Sequence, residues 1–426
     1  MARVSGAARV AVVAIGSELI TLGRADTNSP FIAAAMQRSG LAVSFTTVVG
    51  DERDDLTEVL RHALDRADLV VCTGGLGPTD DDRTRDAVAA VVGVSMHEDA
   101  GVLAAIRERF GRRGLTMPEI NRRQAMVPAG ASIVPNERGT APGLWLPAGA
   151  GAVLLLPGPP REMEPMLAHA VAAHIAPRWG GGAIRRRALV IAGRSESWVD
   201  ERVQPIYGPW RDEPVPVTTT ILASLGTVEL HLSCHGADDA ALARRLDTAM
   251  AQLVEALGAD VVSQDGRSLE QTVGTLLLAR GWRVALAESC TGGLVTTRLT
   301  DVPGSSAYVD RAVVSYSNAA KRDALDVPES LLVTHGAVSE PVAAAMAEGV
   351  RARAGVDVAV AVTGIAGPGG GSVEKPVGLV CFAVTGVRGT EVRTSRFTGD
   401  RVVIRSLAAT TALDLMRRYI LAAGTA

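Results

Sequence analysis

From Arg9 onward the chain switches between two hydrophobic periods. "RVAVVAIG" is a short β-branched run closed by Gly16, whereas "SPFIAAAMQRSG" carries apolar residues at helical spacing and ends on Gly40, a residue suited to a helix C-cap. "LAVSFTTVVG", "DDLTEVLRHALDRA" and "DLVVCTGG" continue as strand, helix and strand. This βαβαβ order predicts a parallel sheet covered by helices, with ligands held at the carboxyl ends of the strands. The pattern closes in "PREMEPMLAHAVAAHIAPRWGGG", a helix running into a linker. Between about Arg185 and Ser263 it changes to "RRRALVIAG", "SESWVDERVQPIY", "GTVELHLSCHG" and "DDAALARRLDTAMAQLVEALG", a small α+β module. From Ser268 a helix, the strand "RVALAE", and the later strands "DVAVAVTG" and "LVCFAVTG" form another α/β pattern, with a last helix from about Arg401. The expected fold class is α/β, with two α/β domains built on parallel-type sheets, residues 1–180 and 265–426, flanking a small α+β domain at 181–264.

Composition narrows the function classes. At 426 residues and 47% hydrophobic, the chain is too long for one ordinary core. A formal net charge of −3 speaks against a dominant nucleic-acid surface. Cys72, Cys234, Cys290 and Cys381 are scattered without a CxxC pair, as expected of reduced thiols. The first apolar stretch is far shorter than a signal segment needs, and no later run approaches a membrane helix. The expected location is therefore the cytoplasm.

Several polar motifs stand out along the chain. In "TGGLGPTDDDRT" Gly74, Gly75 and Gly77 let the backbone approach an anion, and Asp80, Asp81 and Asp82 follow just before a helix. Backbone N–H groups favour phosphate and carboxylates favour a bridging divalent cation, although a glycine turn with first-turn acids explains the same composition. "LPGPPREMEPM" sets Arg161 and Glu162 after a rigid turn that could wall the same pocket.

"ALAESCTGG" ends a hydrophobic run on Ser289 and Cys290 and passes into Thr291, Gly292 and Gly293, which admits three readings. Ser289 is a nucleophile with Lys321 of "VVSYSNAAK" as its base; Cys290 is a thiolate at a helix start; or Ser289 is a cap and Cys290 a small core residue. In "TGIAGPGGGSVEKPVG", Thr363 and Gly364 end a strand before glycines that could face a phosphate or an oxyanion. In "HLSCH", His231, Ser233 and His235 share one strand face and Cys234 the other, so a joint metal site needs a distorted strand.

Taken in order, "TGGLGPTDDDRT", "NRRQAMVPAGASIVPNERGTAPG", "LPGPPREMEPM", "AESCTGG", "VVSYSNAAK", "HGAVSEP" and "TGIAGPGGGSVEKPVG" resemble the competence/damage-inducible CinA family over nearly the whole chain. The resemblance implies a molybdopterin-binding-like domain with metal-dependent ADP-ribose pyrophosphatase activity, a KH-like domain, and a C-terminal amidase. That amidase converts nicotinamide mononucleotide to nicotinate mononucleotide and ammonia. The middle module resembles a KH fold without its GXXG loop, which removes the nucleotide clamp of RNA-binding members.

The mechanism so implied has Ser289 attacking the carboxamide carbon, Lys321 moving the proton, and Tyr316, one helical turn earlier, orienting the base or stacking on the pyridine ring. Thr291, Gly292 and Gly293, or the Thr363–Gly364 turn, then hold the substrate's oxyanion. Arg401 takes the phosphate, unless it is simply an exposed arginine at a helix start. In the first domain Gly74, Gly75 and Gly77 bind phosphate, and Asp81 and Asp82 bind a divalent metal that the amidase does not need. The partners expected are nicotinamide mononucleotide, ADP-ribose and a second copy of the chain, with no nucleic acid and no membrane. The alternatives are a nucleotide-binding module with one or both catalytic domains silent, and, by fold analogy alone, a molybdenum-cofactor enzyme.

Overall fold

A computed structural model of the chain describes residues 8–424. They divide into two compact units, 8–185 with 234–243 and 186–233 with 244–424. The module expected over 181–264 thus falls mostly within the second unit.

The first unit is built on a sheet with strand order Ala42–Val49, Arg9–Ile15, Leu69–Thr73, Gly151–Leu156, Gly143–Ala148 and Ser132–Val134. The first four of these strands run parallel and the last two antiparallel. The expected βαβαβ order is therefore present. After Arg9, its interior strand Arg9–Ile15 is apolar, with every residue from Val10 to Ile15 at most 3% exposed, as a strand covered by helices on both faces requires. The carboxyl ends are tied together where Gly74 N–H donates to Leu156 O and Gly16 N–H to Val49 O, both at 3.0 Å. The glycine and acid motifs leave the sheet at this edge.

In the second unit a sheet ordered Val309–Val314, Val284–Glu288, Val358–Gly364, Leu379–Gly386 and Gly389–Arg396 has three parallel strands followed by two antiparallel ones. The register sets Glu288 opposite both Val314 and Val362. Ser289, Ser315 and Thr363 are consequently the next residues along three neighbouring strands, one row of hydroxyls at the carboxyl edge.

A four-stranded sheet, Thr218–Ser224, Thr227–Gly236, Ala183–Ala192 and Val261–Ser263, precedes it in sequence. The strand Thr227–Gly236 alternates buried and half-buried residues along most of its length, with Cys234 inward and His231 paired with Glu229. Among the described residues no group of three His, Cys, Asp or Glu is placed to hold a metal, here or elsewhere.

An ion-pair network fastens the last helix, Arg401–Ala422, to the segment before the second α/β pattern. Arg417 donates to Asp414 and to the carbonyls of Val261 and Ala259, while Arg418 bridges Asp414 and Asp260, and Arg194 also pairs with Asp260. Burial pushes the Asp260 carboxyl up, but Arg194 and Arg418 outweigh it and hold the group below its ordinary value. Its contribution to stability is present above the unfolded carboxyl pKa and is lost as pH falls through the lower folded value. The Arg417 side chain is 3% exposed, and removing one partner leaves Asp414 short of a buried charge. Arg417→Ala is expected to cost about 3 kcal/mol or more, read as a lower urea midpoint for the second unit. An unchanged midpoint would mean that the network contributes nothing.

Candidate active site

The turn that carries Ser289 is shaped by its glycines and by one acid. Gly292 and Gly293 adopt φ of 61° and 92°, left-handed values that disfavour any side chain, so the chain can leave the strand and enter the helix Leu294–Thr300 within a few residues. Glu288, 1% exposed, then accepts from the N–H groups of Gly293, Val295 and Thr296 and from the Thr296 hydroxyl. The acid at the end of the hydrophobic run is thus the clamp of this turn. Sequence reading assigned it no role, although an acid set before paired glycines was the available signal.

Ser289 is 8% exposed and donates its N–H to Val362 O at 2.9 Å, which fixes its backbone to the neighbouring strand. Its Oγ lies 3.0 Å from Lys321 Nζ. Lys321 sits on the helix Asn318–Leu325, started by Ser317, whose hydroxyl accepts from Ala320 N–H. Only 1% of it is exposed, and its second hydrogen bond goes to Ser315 O at 2.8 Å. Burial pushes the Lys321 ammonium below the usual lysine range, with the neighbouring Cys290 opposing weakly. A lysine so placed can be neutral and accept a proton, and an amine and a hydroxyl 32 residues apart in sequence meet here.

Cys290 has a different environment. It belongs to the hydrophobic core of this unit, and a Cβ added to Gly364 would come within 3.0 Å of its Sγ. Burial pushes its thiol up to about 12, so the thiolate is scarce at neutral pH. Ser289 is not the cap of the following helix either, since that position is Gly293. Of the three readings of the motif, the geometry favours the serine with its lysine.

The expected oxyanion donors need revision. Gly292 N–H already donates to Ser289 O and Gly293 N–H to Glu288, so neither glycine offers a free donor. Among the described residues no carbonyl or carboxylate accepts from the N–H groups of Cys290 and Thr291, which are therefore the donors left in the turn. Thr291 is held by Arg405, which donates to its carbonyl at 2.7 Å. Thr363, 1% exposed, gives its hydroxyl to Ala337 O, and Gly364 is packed against Val380 as well as Cys290.

Tyr316 precedes the helix rather than lying on it, because Ser317 is the cap. Its ring is 60% exposed and its hydroxyl accepts from Arg401 at 2.6 Å instead of touching Lys321. Arg401 also donates to Gly367 O at 2.9 Å, so it joins Tyr316 to the glycine-rich loop. Lys375 anchors that loop from the other side by donating to the carbonyls of His335 and Val338.

The first unit has a second candidate site, a cavity of about 340 Å³ lined by Gly74, Gly75, Gly77, Asp81, Asp82 and, among other residues, Glu162. Gly74 N–H is taken by Leu156 O and Gly77 N–H by Asp82 at 2.7 Å, whereas Gly75 N–H has no acceptor among the described residues. Asp82 also accepts from Thr79 N–H and Oγ1, which commits both its oxygens to the turn. Asp81 keeps an exposed carboxylate, held below the usual range by the Thr79 side chain. Asp80 pairs with Arg123, and Arg161 contributes only a carbonyl, to Arg138.

Comparison with known proteins follows the same division. The model described as "CinA C-terminal domain" matches residues 266–420, and the one described as "Probable molybdopterin binding domain" matches 11–176. A CinA-like protein of Acidobacterium capsulatum is 43% identical over 414 residues, covering 96% of this chain and 99% of its own. A CinA-like protein of Koribacter versatilis has the same identity and coverage. The crystal structure of the competence/damage inducible protein CihA from Agrobacterium tumefaciens is 48% identical, covers 34% of this chain and 90% of its own, and superposes with a TM-score of 0.34. Among the described residues no helix is long and apolar enough to cross a membrane.

Proposed function

Because this chain belongs to the CinA family, we propose that its second unit is an amidase that converts nicotinamide mononucleotide to nicotinate mononucleotide and ammonia. The observation that carries this reading is the 3.0 Å approach of Lys321 Nζ to Ser289 Oγ, with both side chains buried. The lone pair of the neutral amine takes the Ser289 proton as Oγ bonds to the carboxamide carbon. The N–H groups of Cys290 and Thr291 face the oxygen that becomes negative. The C–N bond then breaks, ammonia leaves with the proton returned by Lys321, and an ester on Ser289 is left. Water adds to the ester, giving up a proton to Lys321, and the acid departs as Ser289 recovers its hydrogen. Tyr316, with its ring exposed, stacks on the pyridine, and Arg401 beside it takes the phosphate. Ammonia release from nicotinamide mononucleotide by the purified chain, without added metal, tests the reading.

For the first unit the reading is a diphosphate hydrolase acting on ADP-ribose. The favouring observation is that Glu18, Asp51, Asp81, Asp82 and Glu162 all line the cavity that contains the glycine turn. Carboxylates repel a diphosphate unless a cation lies between them. With Asp82 committed to its turn and no three-ligand cluster among the described residues, a closed protein cage does not fit. Asp81, with its exposed carboxylate, would hold a single cation, which when bound would supply the positive charge that neutralises charge developing on the diphosphate. Gly75 N–H and Asp81 are this chain's own contributions to holding the diphosphate. A chelator, or Asp81→Asn, is expected to lower ADP-ribose cleavage about 10²-fold while ammonia release is unchanged. Equal cleavage with and without chelator would rule out the cation.

A further inference from the structure

The residue that receives the second hydrogen bond of Lys321 has an unexplained hydroxyl. Ser315 is fully buried, its N–H donates to Glu288 O, its carbonyl accepts from Lys321 Nζ, and its Oγ finds no partner among the described residues. A buried hydroxyl left without a partner is costly, and so is a buried N–H. Lys321 Nζ has such a hydrogen to place. As an amine it turns its lone pair to Ser289 and one N–H to Ser315 O, which leaves one N–H over. As an ammonium it again has one hydrogen beyond these two partners, and the cost of leaving it unpaired is greatest when the nitrogen is charged.

We infer that the Ser315 hydroxyl is the third acceptor for Lys321 Nζ and steadies the ammonium formed while the base carries the Ser289 proton. It is a positioning residue, and the inference rests on the dyad chemistry proposed above. Its carbonyl and hydroxyl share one residue, and rotation about a single Cα–Cβ bond aims the hydroxyl. The Thr291 hydroxyl in the Ser289 turn is likewise buried without a partner among the described residues, but it is Ser315 that already meets Lys321, through its carbonyl, and the charged groups nearby are engaged elsewhere. Glu288 keeps its carboxylate on the turn N–H groups, Arg405 is on Thr291 O, and Cys290 points into the core against Gly364. On the helix of Lys321 itself, Arg322 pairs with Glu329 and Asp326 with Arg353. On the neighbouring helix Glu340–Ala354, Glu340 and Glu348 accept from Thr394 and Thr390, while Arg351 donates to Asp357 O.

A hydroxyl that accepts from the ammonium favours the charged form, so its loss lowers the pH at which Lys321 gives up its proton. A fluorophosphonate probe reads this without any amide substrate: Ser289 Oγ bonds to phosphorus, fluoride leaves, and Lys321 takes the proton. Labelling of the full chain, followed by intact mass against pH, is expected to rise through one midpoint. In Ser315→Ala and Ser315→Gly that midpoint falls by about one pH unit and the plateau rate drops about tenfold, while Ser315→Thr restores the midpoint. Thermal melting confirms that each variant is folded. A wild-type midpoint in Ser315→Ala and Ser315→Gly overturns this inference and leaves the dyad intact. Absence of Ser289 labelling in the wild-type chain overturns the dyad, and the inference with it.

Discussion

Ser289→Ala is expected to bring ammonia release from nicotinamide mononucleotide to background, a loss of at least about 10³-fold, because the variant has no atom that can carry the acyl group. The fold should survive. Ser289 is fixed by its backbone N–H on Val362 O, which alanine retains, and the turn is held by Glu288 and the two glycines. Cys290→Ala is the informative companion. Its thiol is a core contact against Gly364 with a pKa pushed up to about 12, so its loss should weaken packing and leave most of the turnover. Ammonia assays on both variants, with circular dichroism to show that each is folded, separate the two nucleophiles. Activity retained in Ser289→Ala and lost in Cys290→Ala would transfer the chemistry to the thiol.

Lys321→Arg is the second large effect. The guanidinium keeps a positive charge but cannot accept a proton near neutrality, so turnover is expected to fall by about 10²-fold or more. The same assignment fixes the pH dependence. Only the neutral amine is competent, and burial lowers the pKa of Lys321, so activity rises as pH climbs through this depressed value and is present where an ordinary lysine is still protonated. Rate against pH for the wild-type chain should show that acid limb, and Lys321→Arg should lack it. Near-normal turnover in Lys321→Arg would make the lysine a structural charge.

The fold was legible because the periods are unambiguous. Val10 to Ile15 and Leu69 to Cys72 form unbroken apolar runs of strand length, and the amphipathic helices between them leave a parallel arrangement as the consistent solution. The pairing of Ser289 with Lys321 was legible as chemistry, although their meeting depends on the register that sets Glu288 opposite Val314. What the sequence does not show is which donors are already taken. Gly74, Gly77, Gly292 and Gly293 read as open phosphate or oxyanion donors, yet their N–H groups go to Leu156 O, Asp82, Ser289 O and Glu288. Two of those acceptors lie on side chains whose direction only the folded chain fixes. Tyr316 shows the same limit on a smaller scale, since capping by Ser317 placed it outside the helix and its hydroxyl turned to Arg401, 85 residues away.

The central claim is a covalent intermediate on Ser289. Mass spectrometry of the full chain, quenched in acid during turnover of nicotinamide mononucleotide and then digested, tests it most directly. The acyl group of the substrate, without its amide nitrogen, should be found on Ser289 of the peptide containing "AESCTGG", and should vanish in Ser289→Ala. An adduct on Cys290, or steady ammonia release with no adduct on this peptide under any quench time, would contradict it.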